Sequence, residues 1–165
     1  MNVIPNSPIA DEICGETGNK NVLVLKLDLS SFDSIRQFAA EVLKTEKKID
    51  VLIHNAGISG LYKRKISIDG IESIMATNHY GPFLLTHLLI DLMKKTENCR
   101  IVIVSSEAHT FSSLDPYNKD SLNPIYFFPP LQLYNNSKMA NILFSYELAR
   151  KLKDTTITVN CLHPG

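Results

Sequence analysis

Short β-branched or apolar runs alternate along this chain with longer segments of helical character, and that alternation restricts the fold more than any single residue does. The runs are 21–27, 50–53, 100–104 and 156–161; the helical segments between them are 34–44, 71–95 and 134–153. Runs of this length rich in Val, Ile and Leu read as strands, and the longer segments as helices. Strand and helix in strict alternation predict a parallel sheet with right-handed crossovers and helices on both faces. The expected class is therefore α/β, a doubly wound parallel sheet. A length of 165 residues fits one domain with a real core.

Local signals place the boundaries. Ser31 or Ser30, with Asp33 and Ser34, can cap the first of these helices, and Asp69-Gly70 precedes the second. Near the start, residues 7–15 read as a short helix with Pro8 just inside and Gly15 just past its end. The one long irregular segment lies between Ser106 and Tyr134, where Pro116, Pro124, Pro129 and Pro130 break any period. A loop of that length is usually functional or disordered. Its aromatics, Phe111, Tyr117, Tyr126, Phe127 and Phe128, favour an ordered apolar flap.

Charge and composition remove several classes of function. Seventeen basic and 17 acidic residues leave a formal net charge of zero, and no basic cluster occurs, so neither nucleic acid nor an anionic membrane is the expected partner. The longest apolar stretch, Gly81–Met93, is interrupted by Thr86, His87 and Asp91 and is far short of the ~20 residues that span a bilayer. The N-terminus lacks the layout of a signal peptide. An intracellular protein, soluble as written, is expected. Cys14, Cys99 and Cys161 show no Cys-x-x-Cys spacing, and the five histidines form no His-Glu-x-x-His pattern, so the expectation is reduced thiols and no metal.

In an open parallel sheet, ligands bind beyond the carboxyl ends of the strands. The distinctive polar residues fall there: Asp28 after the first run, His54-Asn55-Ala56-Gly57 after the second, Ser105-Ser106 after the third, and His163-Pro164-Gly165 after the fourth. Downstream of the third lies Tyr134-Asn135-Asn136-Ser137-Lys138. On a helix, residues four apart share a face, so the Tyr134 phenol and the Lys138 ammonium point into one space. A free tyrosine titrates near pH 10, and each unit of downward shift requires about 1.4 kcal/mol of preference for the phenolate. A fixed cation nearby supplies such a preference. Ser105 and Ser106, adjacent on a strand, point to opposite faces, so only one of them can serve such a site.

Several ordered motifs resemble those of the short-chain dehydrogenase/reductase family, in particular its retinol-dehydrogenase-like branch. They are residues 16–22, Leu27-Asp28-Leu29-Ser30, Asn55-Ala56-Gly57, Asn78-His79-Tyr80-Gly81, Val104-Ser105-Ser106, Tyr134-x-x-Ser137-Lys138, residues 140–144 and His163-Pro164-Gly165. The resemblance implies a Rossmann-like fold. It makes Tyr134 the general acid/base, Lys138 the cation that favours its phenolate and holds the nicotinamide ribose, and Ser106 the donor that polarises the substrate oxygen. Such chemistry needs a tuned acid and a hydroxyl aimed at the oxygen that gains charge.

Asn78 is the fourth catalytic member by the same resemblance. Pro82 has no N–H, so the Asn78 carbonyl cannot make its normal helical bond and is freed for a water, which the resemblance places in a relay reaching Lys138. Asp28 is implied to accept from the adenine amino group, although a turn or cap role is the plain alternative. Asn55, Ala56, Gly57, Pro164 and Gly165, together with Tyr134 and Lys138, complete the implied cofactor contacts.

Two departures stand out. His54 replaces the first Asn of the family's Asn-Asn-Ala-Gly, a change read as tolerated. The strand, glycine-rich turn and helix that would hold a pyrophosphate are missing, since Gly15-Glu16-Thr17-Gly18 precedes a strand and lacks the third glycine. The expectation is a partial Rossmann-like domain over residues 1–165, lacking the first strands and the last. The implied activity is interconversion of an alcohol and an aldehyde or ketone on a retinoid- or lipid-like substrate with NADP(H), NAD(H) being the alternative. A homodimer and endoplasmic reticulum association are implied for the full-length protein and its longer relatives. The competing expectation is a catalytically silent truncated form that acts as an interaction protein through exposed strand edges.

Overall fold

A computed structural model describes residues 7–59, 64–118, 121, 123 and 129–165. In chain order the elements are α1 (Pro8–Thr17), α2 (Phe32–Thr45), β1 (Val51–His54), α3 (Ser73–Met75), a π-turn (Ala76–Tyr80), α4 (Gly81–Met93), β2 (Arg100–Val104), a 3-10 turn (Glu107–Phe111), α5 (Pro130–Lys151) and β3 (Thr158–Leu162). The three strands form one parallel sheet in the order β1-β2-β3. Val51 pairs with Arg100, and Arg100 pairs in turn with Thr158. A parallel α/β sheet with helical crossovers is the expected class, in incomplete form.

Both crossovers, β1–α4–β2 and β2–α5–β3, step the same way across the sheet, so right-handed connections put α4 and α5 on one face. There α2 packs against α4. Helical spacing creates the contact surfaces: Ile35, Ala39 and Val42 on α2, Leu85, Leu89 and Leu92 on α4, and Phe144 and Leu148 on α5 close over Ile101 and Ile103 of the central strand. Truncating any one of the large side chains in this core to Ala costs about 2–5 kcal/mol. Along β1 the alternation is open on the other side, where Val51 and Ile53 are exposed.

Residues 21–27 depart from expectation. They lie outside the sheet and carry one bridge residue, Leu25. Strand-like composition needs a neighbouring strand to make a ladder, and the described edge strands, β1 and β3, do not receive this segment. Side-chain burial holds it instead: Leu25, Leu27, Leu29 and Phe32 pack against the core. Gly81 makes the close approach possible, because a Cβ there would collide with the Leu29 carbonyl oxygen.

Helix boundaries shift for identifiable reasons. Ser31 caps α2 as expected, its hydroxyl accepting from the Ser34 N–H. Asp69 does not cap the helix that follows it. Its carboxylate accepts from the Phe32 N–H at 2.8 Å, across the chain, while Glu72 caps α3 by accepting from Ile74 and Met75. α1 runs to Thr17 and closes on Gly18 in the left-handed region, so the Gly15–Gly18 stretch is a helix end. α5 starts at Pro130, where a missing N–H is harmless, four residues before Tyr134.

The expected apolar flap is not supported by the aromatics that are described, since Phe111 and Tyr117 are 73% and 96% exposed. Tyr126, Phe127 and Phe128 lie outside the described residues. Among those described, no helix is long and apolar enough to cross a membrane.

Candidate active site

One face of α5 carries Tyr134, Ser137, Lys138 and Asn141, at i, i+3, i+4 and i+7. Lys138 is only 4% exposed, and its Nζ donates to the Val104 carbonyl at 2.9 Å, where β2 ends. The same Nζ lies 5.5 Å from the centre of the Tyr134 ring. Burial holds the Lys138 ammonium below the ordinary lysine range, with nearby Cys161 acting in the opposite direction. The pair foreseen from the spacing is therefore assembled at the C-terminal end of the central strand.

Ser105 and Ser106 divide as strand alternation requires. Ser105 is buried and donates to the Lys138 carbonyl at 2.9 Å, tying β2 to α5. Ser106 is half-buried and begins the 3-10 turn, its Oγ accepting from the Ala108 N–H at 3.3 Å. His109 Nδ1 meets the Ser106 carbonyl at 2.7 Å and must be the donor, because a carbonyl only accepts. Ser106 Oγ retains its own hydrogen to donate.

Asn78 occupies the π-turn, a device common at functional sites. Its Oδ1 accepts from the Ile58 N–H at 2.8 Å, and its Nδ2 donates to the Ile58 carbonyl at 2.9 Å and to Ser137 Oγ at 3.0 Å. A Cβ on Gly57 would stand 3.3 Å from Asn78 Oδ1 and 3.6 Å from Lys138 Nζ, so only glycine leaves this space open. The backbone carbonyl of Asn78 accepts from Asn141 Nδ2 at 3.0 Å, which leaves its second lone pair for the expected water. The side-chain amide stands in for the N–H that Pro82 lacks.

Tyr134, Lys138, Ser106, Asn55, Gly57, Pro164 and Gly165 all line one open cavity of about 260 Å³. Asn78 backs its wall through Gly57 and Ile58. Ala56 and Asp28 are not in the lining. Asp28 is exposed, and its Oδ1 accepts from the Ser30 hydroxyl at 2.7 Å and the Ser30 N–H at 2.9 Å, bonds that hold its carboxyl below the usual range. That is the turn role weighed as its alternative. His54 is also outside the cavity: Thr86 Oγ1 donates to the Pro82 carbonyl, so it accepts from His54 Nε2 at 2.7 Å, and burial pushes the imidazole down to about 4. It is a neutral core histidine, which agrees with reading the change from Asn as tolerated.

Ser137 and Asn141 received no role from the sequence. The i, i+3, i+4, i+7 stripe beginning at Tyr134 is the signal that finds them. For a nicotinamide dinucleotide, the open space over Gly57 and the lysine beside it fit a ribose. Among the described residues, no glycine-rich turn between a strand and a helix offers amides to a pyrophosphate.

The chain is similar to several known proteins in sequence and in fold. The family profile described as short chain dehydrogenase matches residues 5–117. Human retinol dehydrogenase 11 is 46% identical over 157 residues, which are 95% of this chain and 48% of that protein. Human retinol dehydrogenase 14 is 44% identical over 92% of this chain and 44% of its own length. Retinol dehydrogenase 12 of Bos taurus is 41% identical over 99% and 50%. The chain thus spans about half the length of these relatives. An uncharacterised protein from Mycobacterium paratuberculosis aligns with a TM-score of 0.78 at 37% identity, covering 94% of this chain and 55% of that one.

Proposed function

The chain belongs to the short-chain dehydrogenase family, and on that premise we propose that Tyr134, Lys138, Ser106 and Asn78 are the catalytic group of an oxidoreductase interconverting an alcohol with an aldehyde or ketone. The observation that carries the proposal is the shared cavity, in which Tyr134 and Ser106 line the same space as Lys138. Tyr134 passes a proton to or from the reacting oxygen, and Ser106 Oγ–H stabilises the charge that develops on it. Lys138, held by Val104, keeps a cation beside the phenol. Asn78 fixes the wall at Gly57.

The proposed cofactor is NADP(H), with NAD(H) the alternative. Bound at the cavity, its nicotinamide supplies or takes the hydride. Lys138 and Tyr134 would hold the ribose, Asn55, Ala56, Gly57, Pro164 and Gly165 would flank it, and Asp28 would meet the adenine. The substrate is proposed to be apolar and retinoid- or lipid-like, which the retinol dehydrogenase relatives favour. Residues 1–165 act as one partial Rossmann-like domain. In the full-length protein α4 and α5 pair with a second copy, a reading favoured by outward-facing Phe83 and Leu143, which are 40% and 44% exposed.

Titration of the chain with NADPH and with NADH, followed by cofactor fluorescence and melting temperature, tests the reading. Saturable binding with a rise in melting temperature is expected. Absence of binding in both this chain and a form extended at its N-terminus would overturn it and favour the interaction protein.

A further inference from the structure

A π-turn holds one residue more than the helix around it, and something must keep that residue from being absorbed. Here the chemistry of the contacts leaves a single arrangement. Asn78 Nδ2 and Oδ1 face the Ile58 carbonyl and N–H respectively, so the Asn78 amide cannot be flipped. Ser137 Oγ donates to the Tyr134 carbonyl at 2.7 Å and therefore accepts from Asn78. The whole Asn78 side chain, in a residue 1% exposed, is committed to binding residue 58 to α5. What holds Asn78 itself is Asn141, also buried, whose Nδ2 bonds the carbonyl that Pro82 leaves without a donor. With Nδ2 so placed, Asn141 Oδ1 faces His79 Nδ1 at 3.1 Å, which requires the proton of His79 to sit on Nδ1. The rings of Tyr80, Phe83 and Phe144 surround that imidazole.

We infer that Asn141 is a positioning residue: by bridging the Asn78 carbonyl and His79 it locks the π-turn, and through Asn78 it fixes residues 57 and 58 against Lys138. The lock is a property of the fold; its catalytic meaning rests on the oxidoreductase reading above.

Hydrogen exchange at the Ile58 N–H and nitrogen NMR of His79 read the lock without turnover. In the wild-type chain His79 carries its proton on Nδ1. Asn141→Ala accelerates Ile58 exchange by roughly tenfold or more, as expected for loss of a buried hydrogen bond, while the Ile103 amide of β2 changes by less than about threefold. Asn141→Asp keeps the acceptor for His79 but offers no donor to Asn78, so Ile58 exchange is fast while His79 Nδ1 stays protonated. A proton on Nε2 in the wild type, Ile58 protection that survives both variants, or acceleration of Ile58 only in step with Ile103 overturns the inference. If Asn141→Ala does not fold, Asn141→Asp and the wild-type tautomer still decide it.

With NADPH and a carbonyl substrate, Asn141→Ala lowers kcat by roughly 10- to 100-fold and leaves the NADPH Kd within about threefold. Turnover absent both from this chain and from a form extended at its N-terminus, with the lock intact, defeats the oxidoreductase reading alone. Wild-type turnover with unchanged kcat in Asn141→Ala defeats the positioning role alone.

Discussion

Lys138 and Asp28 are both proposed to meet one dinucleotide, yet the fold prepares them in opposite ways. Lys138 is 4% exposed, bonded to the end of β2 and backed by Ser105, Ser137 and Asn78, each of which makes a hydrogen bond to a distant segment. Asp28 is exposed, and its carboxylate is bonded to Ser30, two residues away, in a segment outside the sheet. A side chain held by several elements is set before any ligand arrives, whereas one held by its own turn can re-aim at little cost. The proposed chemical end of the site is thus built into this chain, and the adenine end is shaped by local turn geometry.

The largest expected effect tests the prepared end. Tyr134→Phe should lower kcat by roughly 10²–10⁴, the range for losing a positioned acid/base. The NADPH Kd should stay within about threefold, because the ring remains beneath Lys138. Steady-state kinetics with a fluorescence titration measure both, and unchanged turnover would remove Tyr134 from the proposed mechanism.

His54 joins the two ends, since it terminates β1 and reaches α4 through Thr86. Burial holds its folded value at about 4, below the ordinary histidine value of 6.5. As pH falls through that window the unfolded chain takes up the proton first, so stability present above pH ~6.5 is lost progressively down to pH ~4, in total about 3 kcal/mol. His79, also pushed down by burial, adds in the same direction. His54→Gln keeps an N–H donor near Thr86 and cannot titrate. Urea denaturation at several pH values should show a shallower acid loss in the variant; equal slopes would mean that His54 is not buried as a neutral ring.

Gly81 tests how the segment on the Asp28 side is held. Gly81→Ala drives a Cβ into the Leu29 carbonyl, and overpacking of this kind costs about 1–3 kcal/mol. Gly15→Ala is the control: nothing lies within 4 Å of its added Cβ, and a helix interior gains up to about 1 kcal/mol from the change. Equal melting temperatures for the two variants would show that α4 and residues 27–31 do not touch.

What could be read from the sequence follows the same division. β2 was legible at both ends, Arg100 and Val104, and the Tyr134–Lys138 face followed from helical spacing alone. Those features depend on local pattern. The π-turn was not legible, because its register depends on an Asn141 amide arriving from another helix, 63 residues further on. Nor was the fate of residues 21–27, whose composition suits a strand but whose pairing depends on a neighbour. Asp69 misled for a third reason: a side chain suited to capping the next helix caps an earlier one across 37 residues.

The smallest expected effect sharpens the comparison at the sheet. Ile53 and Ile103 lie on neighbouring strands, but Ile103 faces the helices at 1% exposure and Ile53 faces away at 60%. An apolar side chain that folding leaves in water contributes little to stability, so Ile53→Lys should change the unfolding free energy by no more than about 0.5 kcal/mol. It should nevertheless delay aggregation, because a lysine on an exposed edge strand opposes pairing with another chain. Denaturant unfolding and light scattering at one protein concentration separate the two effects. A loss above about 1 kcal/mol would mean that something covers this face of β1 in solution, and the contrast between a prepared end and an open one would then have to be drawn elsewhere in the sheet.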